Sequence, residues 1–370
     1  MEICAFHAIN MVQDEEGFRY PEINQSLCKS CSACSKVCHI LNPPEKHPLP
    51  SPVYAIWAKD DKFRLNSASG GAASVFGDYV LAHGGFVTGV ILNERFHAVM
   101  KLLKCVDEIQ KSRSSKYMEV ELDGIFHDTL QKLKDGKDVL FIGLPCHVAA
   151  IKTFVPKENQ HNLITIELIC HGVPSIKAWD HYLKQQMEIF QGKTITDCLF
   201  RRTESWGTGV SFCFSDGSII RLKKSSYLSA FMKGYLFRES CFHCAYANKD
   251  RIGDITIGDF WQYIPPSNGG GVSYLSINTE KGHALFECVR DLFVIHTEKW
   301  ENAIINNENL MRPSPRVKGR ETFYQDFYAM SEDDIIEKYH LYPNLLEKIL
   351  AIPGKAMNRI IRYIKYRCLR

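Results

Sequence analysis

Four closely spaced cysteines near the start of the chain restrict its folding more than any other feature of the sequence. They follow the spacing Cys28-x2-Cys31-x2-Cys34-x3-Cys38. Loops of two residues allow three thiolates to surround one small cubane, and this spacing is typical of 4Fe-4S sites. Zinc motifs present their cysteines in separate pairs instead. The run therefore predicts an iron–sulfur module at the start of the chain.

The cysteine run resembles that of bacterial-type ferredoxins, in which the fourth cysteine of a run binds the other of two clusters. On that pattern the first three cysteines need one more ligand. Cys4 is the candidate, since it precedes a turn that resembles the connection between two ferredoxin motifs. We therefore expect residues 1–42 to form a ferredoxin-like module, truncated at its start, in which Cys38 is a ligand that has lost its cluster.

A zinc knuckle is the alternative for this segment, with Cys38 or His39 as the fourth ligand. The cellular compartment bears on the choice. The sequence has no basic segment followed by an apolar leader at its start, and no run of ~18 apolar residues that could span a membrane. We expect a soluble, cytoplasmic protein, in which clustered thiols bind metal or do redox chemistry rather than form disulfides.

A proline-rich segment separates the cysteine module from the rest of the chain. Residues 43–52 contain five prolines, which favour an extended linker over a helix or a central strand. Residues 53–305 then alternate between strand and helix patterns, as in α/β domains, and residues 306–370 have helical patterns. The predicted strands are 53–58, 86–92, 139–142, 163–169 and one within 251–261, and the predicted helices are 72–83, 146–152, one from 175, 333–339 and 345–351.

Two cysteines directly follow apolar strands of a predicted βαβ unit. Cys146 and Cys170 should therefore lie at the carboxyl edge of a parallel sheet, where ligands of open α/β sheets bind. Pro145 begins the helix that contains Cys146, whose thiolate the helix dipole should favour. Together with the loop pair Cys241-x2-Cys244, these cysteines predict a second 4Fe-4S cluster. The alternative is that Cys146 and Cys170 are buried apolar thiols.

The other five of the 14 cysteines have no spacing that indicates a ligand. Cys213 lies between two phenylalanines, and Cys288 lies in an apolar helical pattern, so both are predicted to pack in the core. We expect no chemistry from this group, which consists of Cys105, Cys198, Cys213, Cys288 and Cys368.

Several segments, in a consistent order along the chain, resemble the coenzyme F-420 (F420) hydrogenase/dehydrogenase beta-subunit family. The resemblance extends from the ferredoxin-like module to about residue 290. Two positions differ from the family pattern, since Leu144 and His147 flank Cys146 where threonine and glutamine are common. The matching segments are Ser69-Gly70-Gly71, Ser115-Lys116-Tyr117, Gly143-Leu144-Pro145-Cys146, Cys170-His171-Gly172-Val173-Pro174-Ser175, Cys241-x2-Cys244 and Gly253-Asp254-Ile255-Thr256-Ile257-Gly258-Asp259-Phe260-Trp261.

Members of that family are iron–sulfur flavoproteins, which pass electrons between clusters and a flavin, usually FAD. The resemblance implies that Ser69-Gly70-Gly71 lies near the flavin diphosphate, at a helix start whose N–H groups favour an anion. It also implies that Ser115-Lys116-Tyr117 lines the same cleft, where the lysine charge would stabilise the reduced flavin. A solvated surface lysine is the alternative for Lys116.

The expected fold class is α+β/α/β, with a small ferredoxin-like iron–sulfur module followed by a mixed α/β flavoprotein-type domain with C-terminal helices. The expected function is that of an oxidoreductase with one or two 4Fe-4S clusters and FAD, which exchanges hydride with an organic acceptor such as coenzyme F-420. A non-catalytic electron-transfer subunit and a zinc-stabilised binding module are the alternatives. No residue is assigned as catalytic. A ferredoxin or another redox protein is the expected partner, and no nucleic-acid motif is present.

Positive charge is concentrated at the C-terminal end. The formal net charge is +3, and residues 355–370 contain six basic residues and no acidic one. Met357, Ile360 and Ile364 recur at helical spacing between them, which predicts an amphipathic helix that contacts an anionic membrane surface or an acidic partner. Packing on its own domain is the alternative. The basic residues elsewhere that could serve an anionic substrate are Arg113, Arg201, Arg202, Lys223 and Lys224.

Overall fold

The structure is a computed structural model, which describes residues 1–49, 52–201, 208–263 and 270–343. The predicted helix 345–351, the basic tail and Arg202 lie outside the described residues. Within the described ranges, no helix is both long enough and apolar enough to cross a membrane.

The cysteine module contains one antiparallel hairpin and one turn of helix among its described residues. Strand β1 (Ile9–Gln13) pairs with strand β2 (Arg19–Ile23). Helix α1 (Ala33–Lys36) lies within the cysteine run. After this module, a β-bridge between His47 and Arg251 ties the predicted linker to the body of the protein.

Besides four short 3-10 helices, the rest of the described chain contains eleven further strands and eleven further α-helices. In chain order they are β3 (Val53–Ala58), α2 (Asp61–Leu65), α3 (Ala72–Ala82), β4 (Phe86–Leu92), β5 (Ala98–Leu103), α4 (Val106–Ser112), α5 (Ile125–Lys134), β6 (Val139–Gly143), α6 (Pro145–Phe154), β7 (Leu163–Leu168), α7 (Ile176–Ile189), β8 (Ile195–Leu199), β9 (Ser211–Phe214), β10 (Ile219–Arg221), α8 (Ser226–Met232), β11 (Ile255–Asp259), β12 (Ser273–Ile277), α9 (Glu280–Val289), β13 (Phe293–Glu298), α10 (Trp300–Ala303), α11 (Arg320–Ala329) and α12 (Glu332–Lys338).

Eight of the described strands form one mixed sheet in the order β13-β3-β12-β11-β7-β6-β4-β5. Its centre is parallel, because β4 pairs with β6, β6 with β7 and β7 with β11 in the same direction. Strand β12 runs antiparallel to both of its neighbours, and β5 and β13 are antiparallel edge strands. The mixed α/β architecture of the predicted body is confirmed, as is the βαβ unit formed by β6, α6 and β7.

Burial on both faces of the sheet explains why β6 is a continuous apolar run. Val139 and Phe141 pack in the core that contains α6 and α7, whereas Leu140 packs in the core that contains α3. All three side chains are fully buried. Each contributes ~1.5–3 kcal/mol on that account, and helices on both faces are what a parallel sheet requires.

Two predictions of core packing are wrong. Cys213 is partly exposed, because side chains of a strand alternate and its neighbours Phe212 and Phe214 occupy the buried face of β9. Cys288 is exposed on α9, whose buried face is formed by Leu285, Phe286 and Val289. The apolar residues around each cysteine are in the core, but the cysteine itself points away from it.

The turn of the β1–β2 hairpin is docked on the body. Phe18 is fully buried in the main core. Arg320, at the start of α11, donates to both carboxylate oxygens of Glu16 at 2.6 Å. The hydroxyl of Ser175, which caps α7, donates to the carbonyl O of Glu16 at 2.6 Å. These contacts attach the cysteine module to helices that lie far away in the sequence.

Candidate functional site

A cavity of about 800 Å³ lies at the carboxyl edge of the parallel strands. Its wall includes residues that directly follow β6, β7 and β11, which the topology brings to one edge of the sheet. The volume is towards the upper end of the range for small-molecule sites, ~300–1,000 Å³. Segments of the sequence from residue 67 to residue 317 contribute to the wall.

The segment Ser69-Gly70-Gly71 forms the turn before α3 and contributes to this wall. Gly70 is packed so closely that a Cβ would lie 2.4 Å from the carbonyl O of Ile56 in β3. Gly71 has a φ of +87°, which glycine adopts at little cost. The hydroxyl of Ser69 donates to the carbonyl O of Val272 at 2.8 Å. The start of α3 is thus held at the cavity wall by backbone contacts that require small residues.

Lys116 also contributes to the cavity wall, but its ammonium group binds the end of α4. The Nζ atom donates to the carbonyl oxygens of Arg113 and Ser112 at 2.7 and 2.9 Å, and to those of Lys111 and Ser114 at 3.2 and 3.4 Å. A cation is favourable there, because the last carbonyls of a helix have no partner within it. Burial lowers the pKa of Lys116 to about 8. The alternative of a solvated surface lysine is wrong, and these contacts make Lys116 a helix cap.

An ion pair forms the wall on the side of β11. Arg201 is 4% exposed, and its two terminal nitrogens lie 2.5 and 3.2 Å from the carboxylate oxygens of Asp259. Its guanidinium lies over the ring of Trp261, 5.4 Å from the centroid. Burial lowers the pKa of Arg201, but Asp259 more than offsets this and raises it. The charge predicted to serve an anionic substrate is therefore neutralised within the protein.

Two other basic residues from that prediction are solvent-exposed, and one is in the cavity. Lys223 and Lys224 are both exposed next to β10. Arg113 contributes to the cavity wall, with its guanidinium 5.2 Å from the ring centroid of Phe63. Of the described candidates, Arg113 is thus the basic residue placed to meet an anion in the cavity.

The four cysteines predicted to share a second cluster come together beside the cavity, and we call them the edge cysteines (Cys146, Cys170, Cys241 and Cys244). Burial raises the pKa of Cys146 to about 12, with further contributions from Cys244 and Cys241. Burial also raises the pKa of Cys170, followed by the effects of Cys241, Cys146 and Cys244. Thiolates repel one another over short distances only, so these mutual effects place the four thiols near each other.

Cys146 is the second residue of α6, as predicted, yet its thiol is not acidic. Burial and the neighbouring thiols outweigh the dipole of the helix, and the predicted preference for the thiolate is wrong. Cys170 lies on the cavity wall itself. The edge cysteines and the cavity are therefore contiguous.

Two histidines that directly follow edge cysteines are also part of the cavity wall. Burial lowers the pKa of His147 and of His171 to about 4, so both are neutral at pH 7. Within the described residues, Nδ1 of His147 and Nε2 of His171 are buried without a hydrogen-bond partner. Both nitrogens are enclosed by the protein, although the two residues contribute to the cavity wall.

The hairpin brings Cys4 towards the cysteine run, and we call Cys4, Cys28, Cys31 and Cys34 the module cysteines. The backbone N–H of Asn24 donates to the carbonyl O of Ala8 at 2.8 Å, and Cys4 and Cys28 each lie four residues beyond this pair. The Sγ atom of Cys4 accepts a hydrogen bond from the N–H of Ala8 at 3.3 Å, which lowers the pKa of Cys4. This favours the thiolate, which is the form that binds metal.

Among the residues that the structure describes, no group of three or more His, Cys, Asp or Glu side chains is arranged to hold a metal ion. The assignment of clusters to the module and edge cysteines stays a prediction. The same holds for Cys38, which lies close enough to Tyr246 to affect its pKa.

No sequence pattern predicted the contact between the end of the cysteine run and the loop of Cys241 and Cys244. His39 and Tyr246 are 207 positions apart, and their side chains lie 2.6 Å apart. The one indication in the sequence was that each of the two residues lies within two positions of a predicted ligand. No local pattern could pair them, because their contact depends on how the module docks.

Residues 136–303 match the family described as the C terminus of the beta subunit of coenzyme F420 hydrogenase/dehydrogenase. This part of the chain belongs to that family. The predicted family is confirmed, and the chain contains the domain of a redox protein. The matched residues include all four edge cysteines and much of the cavity wall, whereas the module cysteines lie outside them.

One solved structure similar to the chain is that of the F420-reducing NiFe hydrogenase complex from Methanosarcina barkeri, studied as a xenon derivative. The sequences are 14% identical, the alignment covers 79% of this chain and 92% of that chain, and the TM-score is 0.47. A similarity of this size supports no conclusion about function. No curated protein matches the chain.

Proposed function

We propose that this chain is an iron–sulfur flavoprotein oxidoreductase that exchanges electrons with a redox partner protein. Residues 136–303 belong to a family of redox beta subunits. The observation that carries the proposal is the contiguity of the edge cysteines with the cavity, since Cys170 belongs to both. A thiol donor set and a small-molecule cavity thus meet at the carboxyl edge of one sheet, where α/β proteins bind their ligands.

The chemistry of the edge cysteines fits a 4Fe-4S cluster. All four donors are thiols, which are the usual ligands of such clusters. Burial and mutual repulsion raise the pKa of Cys146 to about 12 and, chiefly by burial, that of Cys241 to about 11. Thiolates gathered at one site therefore need a compensating positive charge, and bound iron supplies one. The hydrogen bond to the sulfur of Cys4 supports the same assignment for the module cysteines.

The cavity fits a flavin in size and in the nature of its walls. Both segments that the family resemblance assigned to the flavin, Ser69-Gly70-Gly71 and Ser115-Lys116-Tyr117, contribute to it. The turn before α3 offers backbone N–H groups to a diphosphate. The ring of Tyr117 packs against Phe231 and Phe200 with centroids 5.0 and 5.7 Å apart, which makes this wall apolar and rigid.

The residues of the chain hold and shield these groups. When bound, the clusters carry single electrons and the flavin exchanges hydride with an organic acceptor, for which coenzyme F420 is one candidate. The edge cysteines provide thiol donors beside the cavity. Lys116 fixes the end of α4, and so positions Arg113 at the cavity wall. His147 and His171 contribute neutral rings to the cavity wall.

Anaerobic purification of the full chain, with iron, acid-labile sulfide and flavin quantified, tests this proposal. Two 4Fe-4S clusters correspond to about eight iron atoms per chain, accompanied by one FAD. Reduction of the flavin by dithionite, and its reoxidation by a deazaflavin or a quinone, would support the enzyme. Clusters without flavin would instead indicate an electron-transfer subunit, and zinc without sulfide would refute the iron–sulfur assignment.

Replacement of one edge cysteine tests where the second cluster lies. Cys241→Ala should remove about half of the iron, because one of two clusters loses a ligand. Cys288→Ala is the matched control, since this cysteine is exposed on α9. The control should retain all of its iron. Equal iron content in the two variants would contradict the assignment of the edge cysteines.

A further inference from the structure

We infer that the contact between His39 and Tyr246 is the positioning element that sets the separation of the module and edge cysteines and carries the electronic coupling between them. The inference rests on the proposed function, because it concerns the passage of an electron from one cluster to the other. It adds two residues, neither of them a predicted ligand of an iron–sulfur cluster, that act through the cysteines beside them.

The contact joins the end of the cysteine run to the loop of Cys241 and Cys244 through one pair of side chains, of which Tyr246 is buried. His39 directly follows the cysteine run, and Tyr246 lies two residues after the last edge cysteine. The Nδ1 atom of His39 lies 2.6 Å from the hydroxyl of Tyr246, and that hydroxyl donates to the carbonyl O of His39 at 3.0 Å. The ring centroids are 5.6 Å apart, and Tyr246 is 4% exposed.

Thiols from both parts of the chain lie near this contact. Burial raises the pKa of Tyr246, and Cys146, Cys244 and Cys38 raise it further. These effects decline with distance, so the phenol lies near Cys38 of the run and near two edge cysteines at once. Tyr246 thus connects the end of the cysteine run, at Cys38 and His39, with the edge cysteines.

The contact also leads towards the cavity. His147, on the cavity wall, has its pKa lowered by burial and, to a smaller extent, by His39. His39 is therefore near a residue that borders both an edge cysteine and the cavity. The contact therefore lies next to the cavity wall on the side of His147.

Further hydrogen bonds hold the segment around His39 on both sides of the contact. The hydroxyl of Thr153 in α6 donates to the carbonyl O of Val37 at 2.9 Å. On the other side, His47 and Arg251 exchange two backbone hydrogen bonds at 2.6 and 2.8 Å. Removal of one hydroxyl should therefore loosen the contact without releasing the segment.

Transfer between two such centres requires no bond to form or break. One electron leaves the donor and enters the acceptor, and dithionite supplies it in the experiment. The rate depends steeply on separation and on the medium between the centres. A residue pair that fixes the separation and the intervening medium should therefore control the rate of electron transfer. Its loss should leave the iron content unchanged.

Tyr246→Phe tests the inference, because phenylalanine keeps the ring and removes both hydrogen bonds. In the full chain, purified anaerobically, the iron and sulfide content and the unfolding midpoint should match the wild type. Freeze-quench electron paramagnetic resonance after mixing with dithionite should show slower electron exchange between the clusters than in the wild type, because the pair no longer fixes their separation. The magnetic interaction between the two reduced clusters should also weaken.

Two further variants make the result specific. His39→Ala removes the same contact from the other segment and should reproduce the change, and the double variant should add little, since the two residues act as a pair. Tyr235→Phe is the matched control, because its ring stacks on Phe323 with a centroid distance of 4.8 Å and belongs to another cluster of aromatic residues. It should behave as the wild type.

The outcomes separate this inference from the proposed function. Unchanged exchange rates and magnetic interaction in both Tyr246→Phe and His39→Ala, with full iron content, would overturn the inference and leave the proposed function intact. If only Tyr246→Phe loses iron, the exchange rate and the magnetic interaction measured in His39→Ala decide the question. A wild-type protein without iron and sulfide would overturn the proposed function, and the inference with it.

Discussion

Replacement of Lys116 by methionine should destabilise the cavity wall. Methionine keeps an unbranched side chain of similar length but donates no hydrogen bond. The carbonyl oxygens of Arg113 and Ser112, now bound at 2.7 and 2.9 Å, would lose their charged partner. The hydrogen bonds to the carbonyl oxygens of Lys111 and Ser114, at 3.2 and 3.4 Å, are longer and contribute less to stability.

The magnitude follows from two opposing effects. Hydrogen bonds to a charged group contribute ~1.5–3 kcal/mol each, and two of the four are close. The burial of the ammonium, which lowers the pKa of Lys116 to about 8, offsets part of this. We therefore expect the free energy of unfolding to fall by about 2 kcal/mol at pH 7.

The lowered pKa also predicts a pH dependence. A lysine in the unfolded chain has a pKa of ~10.4, so between about pH 8 and that value the unfolded state binds more protons than the folded state. Stability contributed by this group should therefore rise with pH across that window. The rise should be absent from the Lys116→Met variant.

Urea denaturation measures the global effect, and hydrogen exchange of the α4 amides measures the local one. Lys111→Met is the matched control, since Lys111 lies on the same helix and is exposed. It should change stability by no more than ~0.5 kcal/mol. Equal stability of the two variants, together with an altered flavin spectrum or potential in Lys116→Met alone, would refute the capping role and favour direct action on the flavin.

Two further substitutions test the packing behind the site. Gly70→Ala should lower the free energy of unfolding by ~1–3 kcal/mol and reduce the amount of bound flavin, because the new Cβ would lie 2.4 Å from the carbonyl O of Ile56. A variant with wild-type stability and wild-type flavin content would contradict this prediction. Glu167→Gln should lower the free energy of unfolding by ~3–5 kcal/mol in a denaturation experiment, because Glu167 and Arg251 form a 2.6 Å ion pair in which both side chains are buried. Replacement of both residues by methionine should restore much of this loss. If it does not, an uncompensated buried charge is not the cause.

The elements of the body could be predicted from local patterns. The strands 53–58 and 86–92 match β3 and β4, and the helix predicted over 72–83 is α3. Continuous apolar runs and glycine turns carry this information within a few residues of sequence. The same patterns placed Cys146 and Cys170 after parallel strands, because each strand, turn and helix follows directly along the chain.

Orientation and electrostatic environment could not be predicted in this way. Lys116 was expected to meet a cofactor, but its ammonium group binds the end of α4. Cys146 was expected to favour the thiolate, but burial outweighs the helix dipole. Cys288 was expected in the core and is exposed. Each outcome depends on which groups surround a side chain in three dimensions, and a pattern of neighbours in sequence does not contain that information.

By itself, the sequence determined the spacing of the cysteine run, the strand and helix patterns of the body and the family of residues 136–303. Only the tertiary structure decided that the edge cysteines, which come from three separate segments, lie near one another with Cys170 on the cavity wall, and that His39 meets Tyr246. Local backbone preferences act over a few residues, whereas these contacts join positions up to 207 residues apart and form only when the sheet and the docked module bring them together.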